Sequence, residues 1–493
     1  MKRSKKVPKR IPKVPKDDGS VPVNKMVEEC VLEYGTYVNE QRHIPDYRDG
    51  LKPVQRRVLW TTFENGVRWD SRFTKCAEIV GNTIARYHPH GDKACYDALV
   101  MMTGTPTKDD KNILFGPNWS NPLIEGYGNF GNIDGDKAAE MRYPECRLSS
   151  LSQFLFSLKS CTSFVPNYLN TRDEPLFLPS TIPILLFNGV GGIALGVTTN
   201  FLPHNIGEVC DALILCLRKS KVPSVKLLMK YLKGPDWTYG GLIWDLDEVR
   251  TVFETGKGSI NWGFNTEVQE VGKRWIVKIL GIPPRFNLKA YLLKLNDEKE
   301  VKKIRNVESS DRVEIHIEVS TKQMMEKIVT HKYSTKNFWN VTIRKSESEV
   351  DFRSVNLRTY LEMWIEYCID LHKKYFRFEI DRLTREIVDD ELRIRVYANG
   401  EKVIRLMKIE AYRAIQKLVA PCTEDQFNRI VKSITLGSFA RTSTSGIRKR
   451  IKSKSEELKL FKGRLRNTEK YLIAFFKEVK KYSRKRQTFL LND

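Results

Sequence analysis

Arg42-His43-Ile44-Pro45-Asp46-Tyr47-Arg48-Asp49-Gly50-Leu51-Lys52-Pro53-Val54-Gln55-Arg56-Arg57-Val58-Leu59 is the stretch from which the fold can be read. Ahead of it Val27, Cys30, Val31, Tyr34 and Val38 recur at helical spacing, and Ile44-Pro45-Asp46 ends that amphipathic helix. A second helix is predicted from Pro53 to Glu64, with Val54, Val58 and Leu59 inward and Gln55, Arg56 and Arg57 toward solvent. A third covers about Lys75 to Tyr87, with Ala77, Val80 and Ile84 inward. His88-Pro89-His90-Gly91 is a turn, and a fourth helix runs from Asp92 to Met102. Short helices joined by tight turns and studded with Arg and Lys predict a helix-turn-helix or winged-helix module.

Downstream lies a glycine-rich loop, Tyr127-Gly128-Asn129-Phe130-Gly131-Asn132-Ile133-Asp134-Gly135-Asp136, and then Met141-Arg142-Tyr143-Pro144-Glu145-Cys146-Arg147. An Arg-Tyr pair alone says little, because most tyrosines are half-buried packing residues. Here the pair follows such a loop in a chain with 84 basic and 60 acidic residues. Tyr143 then reads as a nucleophile for a phosphodiester, and Arg142 as the cation that offsets charge on the pentacoordinate transition state. An imidazole at His88 or His90 can donate a hydrogen bond to a phosphate near neutral pH. Taken in isolation, His-Pro-His reads rather as a cap around Pro89, and Ile193 among its glycines as a core residue.

Composition bounds the function class. The 493 residues suffice for two to four domains, and 41% hydrophobic with 29% charged residues describes a soluble globular protein. A net charge of +24 calls for a polyanionic partner, most simply nucleic acid, although charge does not separate DNA from RNA or membrane lipid. Nine cysteines without a Cys-x-x-Cys pair read as reduced thiols in a cytosolic protein, not as a disulfide frame or zinc site. Residues 1–25 form a basic arm, Lys/Arg/Pro-rich from Met1 to Lys16, either disordered or a nuclear-import signal; no apolar run follows it, so it is not a secretory leader. Ser180 to Pro203 is uncharged and long enough to cross a bilayer, but Pro183, Asn188, the glycines from Gly189 to Gly196 and Asn200 are turn chemistry between short buried strands.

The pattern predicts a multi-domain α+β protein. Residues 26–160 carry the winged-helix cleavage module and 161–350 an α/β or α+β layer, with strands at Gly241–Trp244, Trp275–Leu280 and Val313–Val319 and helices near Leu288–Leu295 and Lys322–Thr330. Residues 351–490 read as a long antiparallel coiled coil with a globular tip at 400–445. One seam runs Leu357, Leu361, Trp364, Cys368, Leu371, Tyr375, Phe378, slipping to Phe376, Ile380, Leu383 and Ile387; the other runs Ile447, Ile451, Leu458, Phe461, Leu465, Leu472, Phe475, Val479 and Tyr482. Each arm of roughly 38 residues would reach about 57 Å.

The motifs together resemble those of the DNA breakage-and-rejoining subunit of type IIA topoisomerases: the gyrase A and topoisomerase IV A chains and the matching phage subunit. The Arg42–Leu59 stretch, Tyr87-His88-Pro89-His90-Gly91-Asp92, the segment from Gly128 to Tyr143, and Asn188-Gly189-Val190-Gly191-Gly192-Ile193-Ala194-Leu195-Gly196 followed by Pro203-His204-Asn205 occur in the family's order. The resemblance covers roughly 26–490, the tower-like middle and coiled coil matching by layout more than by residue. It implies Tyr143 as the residue that joins the DNA 5′-phosphate, with Arg142, His88, His90 and Arg42 in the active site. Lys52, Arg56 and Arg57 would contact the DNA backbone, and Ile193 would be the apolar wedge that kinks it. It also implies a homodimer closed at the tip, double-stranded DNA as partner, and a second subunit that holds Mg2+ and binds ATP. No metal site, nucleotide site or membrane contact is expected in this chain, which the resemblance places in a bacterial cytoplasm, its own or a phage host's.

The sequence departs from the family twice. Thr103 to Asn121, with Lys108-Asp109-Asp110-Lys111, is longer than the bacterial gyrase connection, and Lys93 stands where relatives usually carry a serine that helps hold quinolones; Asp97 keeps the acidic partner. The chain ends soon after the coiled coil, so the expectation is relaxation and decatenation, not negative supercoiling. A competing reading is a non-catalytic winged-helix clamp that organises DNA; a weaker one is a solitary tyrosine recombinase.

Overall fold

The structure, a computed structural model, describes residues 26–491 except 28–29, 32–34, 36–41, 107–113, 117, 133–135, 194–195, 308–312, 345–349, 432–433, 436–438 and 440–443. The basic arm expected at 1–25, Tyr34 and Val38 of the expected first helix, Lys108-Asp109-Asp110-Lys111, and Ala194-Leu195 lie outside the described residues. The chain forms two compact units, one running to Ile365 and resuming at Phe476, the other Glu366–Phe475.

The first unit opens with helices α1 (Pro53–Glu64), α2 (Cys76–Arg86) and α3 (Asp92–Met101). Proline at the first helical position of α1 gives up an N–H that would be unsatisfied anyway. The Lys52 N–H donates to Gln55 Oε1 at 3.0 Å, so Gln55 folds back as a cap and does not point to solvent. Around these helices lies a sheet of β1 (Thr74–Lys75), β2 (Thr103–Pro106), β3 (Leu114–Phe115), β4 (Ile124–Tyr127) and β5 (Glu145–Leu148), in the order β1-β5-β4-β2-β3. β5 sits between β1 and β4, with Glu145 opposite both Lys75 and Tyr127, so Arg142 and Tyr143 leave the sheet at that rim.

A hairpin of β6 (Phe164–Pro166) and β7 (Asp173–Pro175) follows. The apolar stretch 180–203 becomes a buried five-residue helix, Ile184–Asn188, and a hairpin of β8 (Val190–Ile193) and β9 (Thr198–Phe201). Among the described residues no helix is long and apolar enough to cross a membrane. This hairpin edges a six-stranded sheet, β17-β10-β11-β16-β9-β8, with β10 Leu242–Ile243, β11 Lys257–Gly263, β16 Tyr333–Phe338 and β17 Phe489–Leu490.

A four-stranded sheet has the order β12-β13-β15-β14, from β12 Asn265–Val271, β13 Arg274–Gly281, β14 Val301–Asn306 and β15 Ile315–Val319. Its β15 alternates as expected, Ile315, Ile317 and Val319 buried among Val277, Ile279, Phe264 and Met324. All its pairings are antiparallel, which selects α+β from the two expected alternatives: a two-residue turn joins β12 to β13, too short for the helical crossover that parallel strands need.

The second unit takes up, from Glu366 on, a 42-residue helix, Leu357–Ala398, together with the helix Thr444–Arg466 and, up to Phe475, the helix Thr468–Val479. The arms are antiparallel: His372 faces Phe475 with ring centroids 5.8 Å apart, Phe376 faces Phe461 at 6.1 Å, and Lys454 Nζ donates to Asp390 at 2.8 Å. The second arm, expected as one helix, is broken at Asn467. Phe378, expected on the seam, is exposed, because the slip to Phe376 carries the buried line away from it. The tip is helical, Gly400–Lys408, Tyr412–Leu418 and Glu424–Ile430 packing Val403, Ile415 and Phe427 into a small core.

Candidate active site

The turn from Asp46 to Leu51 sets the first group. Gly50 adopts φ +66°, and a Cβ there would lie 2.5 Å from the Leu185 nitrogen, so only glycine fits. The turn points Asp49 inward, fully buried, where its carboxylate accepts from Arg56 Nε at 2.7 Å and Nη2 at 3.0 Å, from the Leu51 N–H at 3.0 Å and from the Leu178 N–H at 2.8 Å. This corrects Arg56, expected at the surface on DNA: it is 6% exposed and committed to Asp49. Two charges buried together must stay paired, because either one alone in the core is strongly destabilising.

Arg57 is half-committed in the same way. Its Nε and Nη2 donate to Glu174 on β7 at 2.7 and 2.8 Å, and its Nη1 meets His88 Nδ1 at 3.2 Å. A guanidinium only donates, so His88 Nδ1 accepts and its remaining proton sits on Nε2. His88 is pushed down to about 4 by burial, and further by Arg57, His90 and Arg42. His90 stands 4.8 Å from it, ring to ring, and its pKa is also lowered, by burial, then Arg42 and Arg57. Both imidazoles are therefore neutral at pH 7 beside the exposed Arg42, and each can offer an N–H without carrying charge.

Tyr143 is 61% exposed. Its N–H donates to the Glu140 carbonyl at 2.9 Å, and its own carbonyl accepts from Lys75 Nζ at 2.9 Å, which also pairs with Glu145 at 2.8 Å. The Arg142 guanidinium carbon lies 4.9 Å from the centre of the Tyr143 ring. The structure thus brings Arg142 to Tyr143, and Arg42, Arg57, His88 and His90 to one another. Among the described residues no hydrogen bond or ring contact joins the two groups.

Lys52 Nζ donates to the Gly191 carbonyl at 2.7 Å and is pushed down to about 8 by burial and then by Arg285. Ile193 stands at the hairpin end, 81% exposed, which is not how an isolated core isoleucine behaves. Lys93 pairs with Asp97 at 3.2 Å on the exposed face of α3, at the mouth of a cavity of about 680 Å³ reaching Asp136 and Glu140. Among the described residues no three His, Cys, Asp or Glu side chains are placed to share a metal ion. Sequence reading missed Asp49, Lys75, Glu174 and Arg285. Glu174 lies 117 positions from Arg57, and no local pattern signals such a pair.

Residues 42–480 match the sequence model of the family described as the A subunit of DNA gyrase/topoisomerase IV. The chain is 29% identical to the A subunit of DNA topoisomerase 4 from Neisseria gonorrhoeae over 96% of its own length and 65% of the relative's. It is 35% identical to the A subunit of DNA gyrase from Thermotoga maritima over 74% of its length and 46% of the relative's. With the A subunit of DNA topoisomerase 4 from Bacillus subtilis identity is 39%, over 62% of the chain and 37% of the relative. The chain spans about half the length of the curated relatives it matches.

Proposed function

Because the chain belongs to the family of DNA gyrase and topoisomerase IV A subunits, we propose that it is the DNA-cleaving and rejoining subunit of an ATP-dependent type IIA topoisomerase. The observation that carries this reading is Tyr143: a solvent-exposed phenol with a guanidinium 4.9 Å from its ring, on a loop braced by Lys75. A clamp that merely holds DNA has no use for a phenol so placed.

In the proposed reaction the Tyr143 oxygen forms a bond to the phosphorus at a DNA 5′ end, and the bond from phosphorus to the 3′ oxygen breaks. The phenolic proton passes to solvent or a neighbouring base, and the leaving 3′ oxygen takes one up; rejoining reverses every transfer. Arg142 offsets the charge that builds on phosphorus, and His88 offers its Nε2–H to a phosphate oxygen without adding positive charge. One tyrosine cuts one strand, so a double-strand break takes two copies, and a second copy could bring its Tyr143 to the His88 group of the first. We assign that homodimer contact to the tip of the second unit, the three helices and sheet before residue 160 to a winged-helix module, and residues 161–350 to a tower. Ile193 serves as the wedge that bends DNA.

Magnesium and ATP belong, on this reading, to a partner subunit; the metal, when bound, would further neutralise the phosphate. We assign relaxed and unlinked DNA as the products, made in a bacterial cytoplasm. The test is Tyr143→Phe in the complex with its partner. Covalent protein–DNA adduct on a denaturing gel is expected to vanish while DNA affinity stays near wild type, because affinity rests on phosphate contacts. Adduct at the wild-type level would refute the assignment.

A further inference from the structure

The Ile193 hairpin is gripped at its root by two cations that sequence reading did not connect. In its ladder Gly191 pairs with Asn200. Lys52 Nζ donates to the Gly191 carbonyl at 2.7 Å, and Arg285 Nη1 donates to Asn200 Oδ1 at 2.8 Å, so both side chains hold the same rung from different parts of the chain. The rung has been cleared for them. A Cβ on Gly191 would lie 2.6 Å from Arg285 Nη2, and one on Gly192 would lie 2.5 Å from the His43 carbonyl and 3.3 Å from Lys52 Nζ.

Neither cation has a carboxylate within ion-pair distance among the described residues. Each lowers its own charge preference instead: Lys52 is pushed down to about 8 by burial and then by Arg285, and the Arg285 pKa falls through desolvation. Arg285 is thus, among the described residues, a cation without an anion against the Gly191 face of the hairpin, and Lys52 lies against the Gly192 face, since neighbouring strand residues point their side chains to opposite faces. Arg285 also sits at φ +60°, a conformation unfavourable for a side chain of its size. It opens onto a cavity of about 700 Å³ whose wall includes Ile193, Asn200, Tyr333 and Lys336. A ligand could therefore reach the guanidinium from outside.

We propose that Arg285 forms a binding site for one phosphate of the DNA backbone, and that its occupancy fixes the posture of the Ile193 hairpin so that the wedge enters the duplex. This rests on the reading of the chain as a DNA-cleaving subunit. A guanidinium suits a phosphate by its fork of donors. The phosphate would neutralise Arg285 while its Nη1 keeps hold of Asn200 on the rung, linking backbone binding to wedge insertion.

The experiment compares wild type with Arg285→Gln and Arg285→Lys on a linear duplex labelled at both ends. It reads the salt dependence of affinity, the end-to-end energy transfer that reports bending, and adduct formation at Tyr143. Glutamine can still hydrogen-bond Asn200 but carries no charge, so it separates the proposed role from a merely structural one; a melting curve confirms the fold. For Arg285→Gln the slope of log affinity against log salt is expected to fall by about one and bending to be lost, with Arg285→Lys close to wild type in slope. Unchanged slope and bending in Arg285→Gln, with wild type bending and forming adduct, would overturn this site and leave the function standing. Absence of both bending and adduct in wild type would instead overturn the function on which it rests.

Discussion

Replacing Asp49 by Asn tests whether Arg56 is a core residue or a DNA contact. The carboxylate is fully buried and accepts four hydrogen bonds, two from Arg56 at 2.7 and 3.0 Å and two from backbone N–H groups at 3.0 and 2.8 Å. The amide keeps the size and one acceptor oxygen but removes the charge and turns one oxygen into a donor facing donors. Arg56, 6% exposed, is left as an uncompensated cation in the core. Breaking a buried pair from one side costs about 3–5 kcal/mol, and little discount for solvent applies here because Asp49 is fully buried and Arg56 nearly so. Against a total stability of ~5–15 kcal/mol this is a large fraction. The melting temperature of the first unit should fall by roughly 4–6 °C, because an unfolding entropy of about 2.1 cal/mol/K per residue over a unit of this size gives about 1.2 °C per kcal/mol. In Asp49→Asn with Arg56→Met the stranded charge is gone, so the double variant is expected to recover part of the loss. The salt slope of DNA binding, measured well below the lowered transition, should stay at its wild-type value in Arg56→Met. A loss under about 1 kcal/mol in Asp49→Asn, or a slope reduced by about one in Arg56→Met with stability intact, would show that Arg56 works at the surface after all.

Acid should destabilise the first unit through its buried histidines. His204, buried and pushed down to about 4, stays neutral in the fold while the unfolded chain takes up a proton near pH 6.5. Its contribution is therefore complete above pH 6.5 and is lost as pH falls from 6.5 toward 4, with a slope approaching about 1.4 kcal/mol per pH unit; His204→Gln should flatten melting temperature against pH in that window, and an unchanged curve would contradict it. Lys93→Ser should raise quinolone-stabilised cleavage from a weak wild-type level, because the long cation paired with Asp97 at 3.2 Å occupies the place of a small hydroxyl; equal sensitivity would mean the drug does not use this contact. Arg42→Gln should lower the salt slope of DNA binding by about one, since Arg42 is exposed and in no ion pair among the described residues; an unchanged slope would remove it from the DNA interface.

What could be read in the sequence is what short range encodes. The helices at 53–64, 76–86 and 92–101 follow from apolar spacing, from Pro53 and from the His88-Pro89 break. Strand β15 follows from strict alternation of Ile315, Ile317 and Val319. The orientation of Arg56 did not follow, because periodicity assigns a charged residue to the wet face unless a buried partner is known, and Asp49 shows its role only once the Gly50 turn aims it inward. Glu174, Lys75 and Arg285 reach their partners across sheet and hairpin contacts between distant segments, which no window on the sequence contains. Tyr143 and Arg142 were legible because a glycine-rich loop forces local exposure. Their separation from the His88 group was not, being a property of tertiary placement.

The distribution of charge within the site then acquires a meaning that the total of +24 conceals. Two of the arginines that look like DNA ligands are tied to carboxylates: Arg56 to Asp49 inside the core, and Arg57 to Glu174 at its edge. Their work is to hold shape, Arg56 fixing the turn before α1 and Arg57 fixing the His88 ring and its tautomer. Arg42, Lys52 and Arg285 have no carboxylate partner among the described residues, and the last two hold the wedge hairpin. A backbone phosphate drawn to these cations would compete with no internal anion, whereas one drawn to Arg56 or Arg57 would first have to break a short, partly or wholly buried pair. On the proposed function the committed cations build a rigid frame, and the uncommitted ones are the ones left to grip DNA.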